Sequence, residues 1–333
     1  MILSFKPQDV KKQAVKEFLK VFSCAHAMIN TMADQHQMVA DSNLLKAATG
    51  FAAGLSTMGD ICGMVNGGVL ILGKKLGQGP LDWEKSLEII LECNQFYRMT
   101  EISVETCNCG DVHGGKHLAK NFRRAILTGK TVKCFEMLYK GAGILSELIT
   151  DSKKRFFPVD VFIKDRIADS FHEFQAKNFH CCWTTLQRIQ EHSGLDISPL
   201  NNSVLGFIGG IGFSGTLCGA VVGGVLALGL KYGIDPGERG YKDTMKIIYQ
   251  GLLKSDGIFR DEKVFPAAAA FNRCKNLYRI VEDKYGDCNC STIFGLDINK
   301  ATSIHGLSRN NKIEECRRLS EIIAQKASLL LNT

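Results

Sequence analysis

The sequence of 333 residues has only six prolines and lacks the apolar core of a signal peptide near its start. Scarce proline favours helix, because proline interrupts helices from within. Charged residues come early, at Lys6 and Asp9, so we expect a cytoplasmic protein. In that reducing compartment cysteines serve metal binding or redox chemistry more often than structural disulfides.

The signatures of several large function classes are missing as well. There is no Walker phosphate loop, and the glycine runs do not follow a strand as a dinucleotide-binding fingerprint requires. The formal net charge of +7 is small for this length, and no aromatic-rich basic motif indicates nucleic acid. The usual cysteine runs of ferredoxins, zinc fingers and covalently bound haem are also absent.

What the sequence does contain is thirteen cysteines, twelve of which recur in an internal duplication. Residues 61–77 align with 217–233, with eleven of the seventeen positions identical, and 92–109 align with 273–290. The unmatched Cys182 stands at the position of Ala25, and we interpret it as a small buried apolar side chain. The matched pairs are Cys24 and Cys181, Cys62 and Cys218, Cys93 and Cys274, Cys107 and Cys288, Cys109 and Cys290, and Cys134 and Cys316.

The duplication divides the chain into two predicted domains, 1–150 and 151–333. The second carries a 25-residue insertion between positions 233 and 274. Apolar residues recur with helical spacing in most segments, and few segments alternate with the period of a strand. The sequence therefore predicts an all-α fold of two tandem homologous helical domains related by pseudo-twofold symmetry, with irregular cysteine-bearing loops.

The central cysteine of each half, Cys62 or Cys218, lies within a glycine-rich apolar segment. Residues 204–230 carry no charge and are long enough to span a bilayer, but they contain nine glycines. We therefore expect buried segments rather than a membrane span, with glycines four apart allowing close helix contact. The helices are expected to begin after the N-caps Asp60 and Thr216 and to end at the C-caps Gly73 and Gly229.

The cysteine positions suit thiolate chemistry. Cys62 and Cys218 fall in the predicted first turn of their helices, where free amides and the helix dipole favour a thiolate. Two short loops, 107–109 and 288–290, each present two thiols that can face one site. Ligands from several separated elements are typical of a metal cluster in a helical core. Paired thiols that exchange disulfides are also compatible with this pattern.

The segment Cys218-Gly-Ala-Val-Val-Gly223 resembles the core of the redox-active family labelled C_GCAxxG_C_C, although its first two residues are in the opposite order. Its flanks resemble the family too, with Phe179-His-Cys181 before it and Asn289-Cys290 and Glu315-Cys316 after it. The first half departs further, since Met64 stands where alanine is expected. The resemblance implies two fused copies that cover nearly the whole chain.

The resemblance also implies a cofactor. A related domain accompanies haem in split-Soret cytochromes, where an iron–sulfur site is implied. Cys93, Cys107, Cys274 and Cys288 are additional to the family pattern, and six thiolates per half can hold a larger or unusual cluster. The family's characteristic cysteines map to Cys24, Cys62, Cys109 and Cys134, and to Cys181, Cys218, Cys290 and Cys316.

We therefore expect an iron–sulfur redox or electron-transfer protein with one cysteine-ligated site per repeat, with reduction of a substrate at an open cluster as an extension. Soft-metal storage, of copper(I) or zinc, and thiol–disulfide exchange through the two short loops are the alternatives. The acid-free basic stretch 112–135 suits an acidic electron carrier, and a homo-oligomer is compatible. His113, His117 and His180 do not recur, so surface or packing roles are expected.

Overall fold

A computed structural model describes residues 7–36, 41–75, 83–150, 161–236, 241–254, 261–263, 265–295 and 311–333. Throughout these ranges the chain forms helices and turns, without a β-strand. Two isolated antiparallel bridges, Ile61 with Asn108 and Leu217 with Asn289, occupy equivalent positions in the two halves. The predicted all-α fold of two tandem repeats is thereby confirmed.

The helices of the first repeat bring the N-terminal part of the chain into one bundle. Helix α5 is its centre and packs against α2, α6 and α9. The described elements are α1 (Pro7–Val21), α2 (Cys24–His36), α3 (Ser42–Ala48), a 3₁₀ turn (Thr49–Phe51), the irregular turn α4 (Ala52–Leu55), α5 (Gly63–Lys74), α6 (Trp83–Val104), α7 (Cys109–His113), α8 (Leu118–Leu127) and α9 (Thr131–Thr150).

The second repeat follows the same plan around α12, which packs against α11, α14 and α16. Helix α13 falls within its insertion. The described elements are α10 (Val161–Ala176), α11 (Cys181–Ser193), a 3₁₀ turn (Asn201–Val204), α12 (Gly219–Tyr232), α13 (Tyr241–Lys254), α14 (Ala268–Tyr285), α15 (Cys290–Phe294) and α16 (Lys312–Leu331).

Glycine lets the central helices approach their neighbours closely. A Cβ at Gly67 of α5 would lie 2.7 Å from the carbonyl oxygen of Ala25 in α2. A Cβ at Gly223 of α12 would lie 2.8 Å from the carbonyl oxygen of Cys182 in α11. Both contacts are too short for a side chain, so the predicted close helix contact is confirmed. Cys182 itself is fully buried there.

The predicted caps of the central helices were wrong at both ends. Helices α5 and α12 begin at Gly63 and Gly219, with Cys62 and Cys218 as N-caps. Asp60 does not cap, because its carboxylate accepts from the amide of the adjacent residue and from a tyrosine of the other repeat. The helices also continue beyond Gly73 and Gly229, where the absence of a side chain allows close contact with backbone of the other repeat.

The two repeats contact each other reciprocally. Helix α5 packs on the 3₁₀ turn of the second repeat, and α12 packs on α3 of the first. Phe51 and Phe207 hold equivalent positions and contact each other directly, with ring centroids 5.9 Å apart. A contact between two equivalent side chains is what a pseudo-twofold relation produces. The hydrophobic core therefore runs continuously through both repeats.

Two of the additional cysteines lie at this contact between repeats. The thiol of Cys93 in α6 packs against Gly206 of the second repeat, where a Cβ would overlap it. Its counterpart Cys274 in α14 packs against Gly50 of the first repeat, where a Cβ would lie 3.0 Å from the sulfur. Both cysteines are fully buried. Their recurrence thus has a packing reason that sequence alignment alone does not reveal.

The insertion of the second repeat packs on the first. Helix α13 contacts α1 and α8. Phe265 and Phe271 form a small buried cluster against which Ala52 of the first repeat packs. Residues 151–160, at the boundary of the two predicted domains, lie outside the described residues, so the domain limits stay a prediction. No helix in the described ranges combines the length and apolarity that crossing a membrane requires.

Candidate functional site

Four thiols of the first repeat form a connected group, and each comes from a different element. Cys24 begins α2, Cys62 caps α5, Cys109 begins α7 and Cys134 lies in the first turn of α9. Cys24 can donate its single S–H proton to the sulfur of Cys62 or to that of Cys134, and Cys109 donates to Cys62. Residues 110 positions apart in the chain are therefore brought into one site by the tertiary fold.

The second repeat brings together the four equivalent cysteines, Cys181, Cys218, Cys290 and Cys316. Burial raises the pKa of all four thiols. Negative charge on neighbouring members of the group raises the pKa of Cys181, Cys290 and Cys316 further. The pKa of Cys181 rises to about 12. Without a cation these four side chains are therefore held as neutral thiols.

The remaining duplicated pair, Cys107 and Cys288, supports the site through the backbone. The amide of Cys62 donates to the carbonyl of Cys107 at 2.7 Å, and the amide of Cys218 donates to the carbonyl of Cys288 at 2.8 Å. The Cys288 thiol contacts the carbonyl of Tyr278 at 3.5 Å. Burial raises the pKa of both thiols. Among the described residues, neither of these two thiols forms a hydrogen bond to a thiol of the four-cysteine group of its repeat.

A strained backbone segment lies directly before the central cysteine of the first repeat. All five residues from Ala53 to Thr57 have positive φ, between 53° and 71°. Left-handed backbone costs a residue with a side chain about 1–2 kcal/mol. The second repeat has glycine at three of the five equivalent positions, 209, 210 and 212, so its strain is smaller. Such strain is typical of functional sites that the surrounding fold holds rigid.

One histidine joins the first group and has no counterpart in the second. Nε2 of His113 lies 3.3 Å from Sγ of Cys134. Because His113 does not recur between the halves, their alignment did not indicate this contact. Position 113 follows Cys109 by one helical turn, and Phe294 stands at the equivalent place in α15. In the sequence, the spacing of four residues between Cys109 and His113 was the available indication that both side chains lie on one face of α7.

The hydrogen bonds of the first group divide it into two donors and two acceptors. The hydrogen bond from Cys24 lowers the pKa of Cys134 to about 6, with His113 acting in the same direction and burial opposing both. Hydrogen bonds from Cys109 and Cys24 hold the pKa of Cys62 well below its usual range. The same bonds raise the pKa of Cys24 and Cys109. The first site therefore differs from the second, in which the pKa of all four thiols is raised.

We expect Cys134 to be the first cysteine that iodoacetamide alkylates in the reduced, metal-free protein at pH 7. It is the one partly exposed cysteine, and its lowered pKa makes it mostly thiolate at that pH, whereas an ordinary cysteine is a few per cent thiolate. The rate should fall as the pH drops below about 6. Peptide mass spectrometry after timed quenching measures the rate at which Cys134 is alkylated.

His113→Phe reproduces the environment of Cys316 and is the matched control. It should slow alkylation of Cys134 at pH 7, because the thiolate loses a partner that lowers its pKa. Equal reaction rates of Cys134 and Cys316 in the unaltered protein would contradict the assignment.

A buried hydrogen bond connects the two repeats beside the cysteine sites. The hydroxyl of Tyr278 in α14 donates to Oδ2 of Asp60 at 2.7 Å, and the amide of Ile61 donates to Oδ1 at 2.6 Å. Burial raises the pKa of the Asp60 carboxyl, and these two bonds partly oppose that rise. Asp60 in turn fixes the position of α7, because its carbonyl accepts from the amide of Cys109 at 3.0 Å.

Tyr278→Phe should lower the free energy of unfolding by about 2–3 kcal/mol, because it leaves a buried carboxylate with one partner fewer. The matched control is Tyr97→Phe at the equivalent position of the first repeat. The Tyr97 hydroxyl bonds to the half-buried Glu101, which water can reach, so we expect a loss below about 1 kcal/mol. Urea unfolding of the metal-free proteins followed by circular dichroism measures both, and equal losses would refute the argument.

The other sequence-predicted candidates have structural roles. His180 caps α11 by accepting the amide of Trp183, and its Nε2 lies 3.1 Å from the carbonyl oxygen of Leu205. Its expected packing role is therefore confirmed. In the basic stretch 112–135, Lys116 forms a salt bridge with Glu282 of the second repeat at 3.1 Å.

Comparison with known proteins agrees with the duplicated cysteine pattern. Residues 22–148 and again 179–330 match the profile of the family described as "Putative redox-active protein (C_GCAxxG_C_C)". The chain belongs to this family. The two matches enclose all eight cysteines of the two four-thiol groups, one group in each match. The chain is thus a two-copy member of a redox-active cysteine family.

A similar protein of Archaeoglobus fulgidus has about the length of one copy. It is described as an uncharacterized protein and is 24% identical over 155 residues, which are 44% of this chain and 97% of that protein. No solved structure matches the chain. The family and the site geometry therefore carry the functional argument.

Proposed function

We propose that this protein is an iron–sulfur redox protein in which four thiolates of each repeat hold one cluster. The observation that carries the proposal is the convergence of four cysteines from four separate elements, at equivalent places in both repeats. Cysteine thiolates are the standard ligands of such clusters, and four are the usual number. When bound, a cluster supplies one-electron transfer.

The donor set suits a cluster. Cysteine thiolates from separate elements are the usual ligands of iron–sulfur clusters. Within the ranges that the structure describes, no three His, Cys, Asp or Glu side chains are arranged to hold one metal ion. Metal analysis therefore has to distinguish a cluster from zinc or copper(I) storage.

The surrounding residues supply what a buried anionic centre needs. The amide of Met64 donates to the Cys62 sulfur, and the amides of Ala220 and Val221 donate to the Cys218 sulfur, each at the start of a central helix. Such amide donors stabilise negative charge and raise the reduction potential of a sulfur-ligated centre. Burial of all these cysteines except Cys134 keeps water away.

The test is to purify the full chain without oxygen and to quantify iron and acid-labile sulfide per chain, with electron paramagnetic resonance of the reduced protein. We expect both elements in stoichiometric amounts for two centres. Copper or zinc without sulfide would support storage instead. Absence of iron and sulfide, in protein that was also supplied with both under anaerobic reconstitution, would overturn the proposal.

One observation favours thiol–disulfide chemistry as a second candidate. Cys134 is partly exposed, has a lowered pKa and is hydrogen-bonded to Cys24, the arrangement of an attacking thiolate beside a resolving thiol. The Cys134 thiolate would attack a partner disulfide, break its S–S bond and form a mixed disulfide. Attack of Cys24 on the Cys134 sulfur would then release the partner as a dithiol and leave a Cys24–Cys134 disulfide, so that the two electrons and the protons pass to the partner. Cys107 and Cys109 suit this role less, since burial raises the pKa of both. A Cys24–Cys134 disulfide in metal-free protein treated with oxidised glutathione would support it.

An acidic electron carrier fits the proposal as a partner. Arg123 and Arg124 are exposed on α8, next to the end of α9 that carries Cys134. Complementary charge speeds association of such transient partners and makes the rate fall with salt.

A further inference from the structure

A cavity of about 130 Å³ lies beside the four-thiol group of the first repeat. Its lining includes Cys24, Cys109 and Cys134 together with His113. Phe265, in the insertion of the second repeat, and Phe271 of α14 also line it. The cavity is therefore formed by residues of both repeats.

The cavity is mostly apolar and contains two polar atoms that lack partners. Within the described residues, Oγ1 of Thr57 and Nδ1 of His113 are buried without a hydrogen bond, and both residues line the cavity. Leaving a buried polar atom unsatisfied costs about 1–3 kcal/mol. A molecule with a polar group at this place would remove that cost. An apolar cavity of about 150 Å³ is large enough for benzene in another protein.

The second repeat fills the equivalent positions with aromatic rings. Phe213 stands in place of Thr57 and Phe294 in place of His113. Phe213 packs edge-on against Phe174 at 5.4 Å between centroids. Position 213 also shares the unusual backbone of position 57, with φ values of 62° and 71°. At these two equivalent positions the fold thus accepts polar side chains in the first repeat and phenylalanine rings in the second.

We propose that this cavity binds a benzene-sized, mostly apolar molecule that carries one hydroxyl or carbonyl group, held by Thr57 and His113. The first repeat is then the ligand-binding half. That the bound molecule exchanges electrons with the neighbouring centre rests on the proposed function, whereas the binding itself does not.

The test uses 4-fluorophenol and fluorobenzene as probes with the full chain, followed by fluorine nuclear magnetic resonance. Both metal-free and anaerobically reconstituted protein are titrated, so that binding is measured whether or not a cluster forms. We expect saturable binding of 4-fluorophenol in both states. Thr57→Val should weaken 4-fluorophenol by about 2–10-fold, the effect of one hydrogen bond, and leave fluorobenzene within twofold.

The double variant Thr57→Phe/His113→Phe copies the second repeat and should abolish binding of both probes. Its folding is checked by circular dichroism, and the second repeat shows that the fold accepts both rings. Phe294→His is the matched control and should leave binding unchanged. Saturable binding that survives in the double variant, or no saturable binding to the unaltered chain at millimolar probe, overturns the proposal. Binding to the metal-free protein but not to the reconstituted protein also overturns it, because the cluster then occupies the cavity.

Discussion

A variant with serine in place of all four cysteines of the first site should lose half of the iron and half of the acid-labile sulfide that the reconstituted protein binds. The replaced residues are Cys24, Cys62, Cys109 and Cys134. The four side chains form one hydrogen-bonded group, so no other cysteine can replace them without movement of the backbone. Serine oxygen is a harder ligand than thiolate and binds these soft centres poorly. The equivalent variant of the second repeat should remove the other half, and the two together should remove all.

The matched controls come from the cysteines that the structure places elsewhere. Cys182→Ala introduces the residue that the first repeat already has at this position, Ala25, and should leave iron and sulfide unchanged. Cys93→Ala changes a thiol at the contact between repeats and should also leave them unchanged. A loss of iron in Cys93→Ala as large as in Cys62→Ser, with circular dichroism unchanged, would show that the additional cysteines are ligands.

Alanine at Gly73 and Gly229 should each lower the free energy of unfolding by about 3 kcal/mol, the upper range for an overpacked core. In an exposed helix glycine to alanine stabilises by up to about 1 kcal/mol, so the expected sign is reversed here. A Cβ at Gly73 would overlap the carbonyl of Asn202, and one at Gly229 would overlap that of Ala47. Backbone cannot rotate away as a side chain can.

The two substitutions lie in equivalent contacts between the repeats, so their effects should add. A total of about 6 kcal/mol is comparable with the whole stability of many domains, and the double variant should be largely unfolded. Gly143→Ala in α9 is the control, because its Cβ meets only the flexible end of Lys11. Urea unfolding measures all four proteins. A destabilisation in Gly143→Ala equal to that in Gly73→Ala would show that the contact between repeats is not the cause.

The sequence predicted the features that depend on local spacing and on duplication. Helical periodicity and scarce proline indicated an all-α fold, and the alignment of the halves indicated two repeats. Glycines four apart indicated close helix contact, which the backbone approach at Gly67 and Gly223 confirms. The caps at Asp60 and Thr216 were wrong, because both side chains bond to other partners. For Asp60 one partner is Tyr278, 218 residues away in the chain, and for Thr216 the partners are the amide of Ile211 and the hydroxyl of Ser214.

Recurrence of a residue also proved an ambiguous signal. Cys93 and Cys274 recur because each fits against a glycine of the other repeat, and His113 does not recur although it contacts a thiol of the site. Duplication preserves packing and chemistry alike, so alignment of the two halves cannot separate them.

By itself the sequence determined that two helical repeats each carry matched cysteines. Helix formation depends on residues near one another in the chain, and the duplication is visible when the two halves are aligned. Only the tertiary structure decided which cysteines meet, since four elements far apart in the chain must pack before their thiols touch. It also decided that the repeats differ. Helix α13 of the insertion packs on the first repeat. Phe213 and Phe294 stand in the second repeat at the positions of Thr57 and His113, which line a cavity in the first.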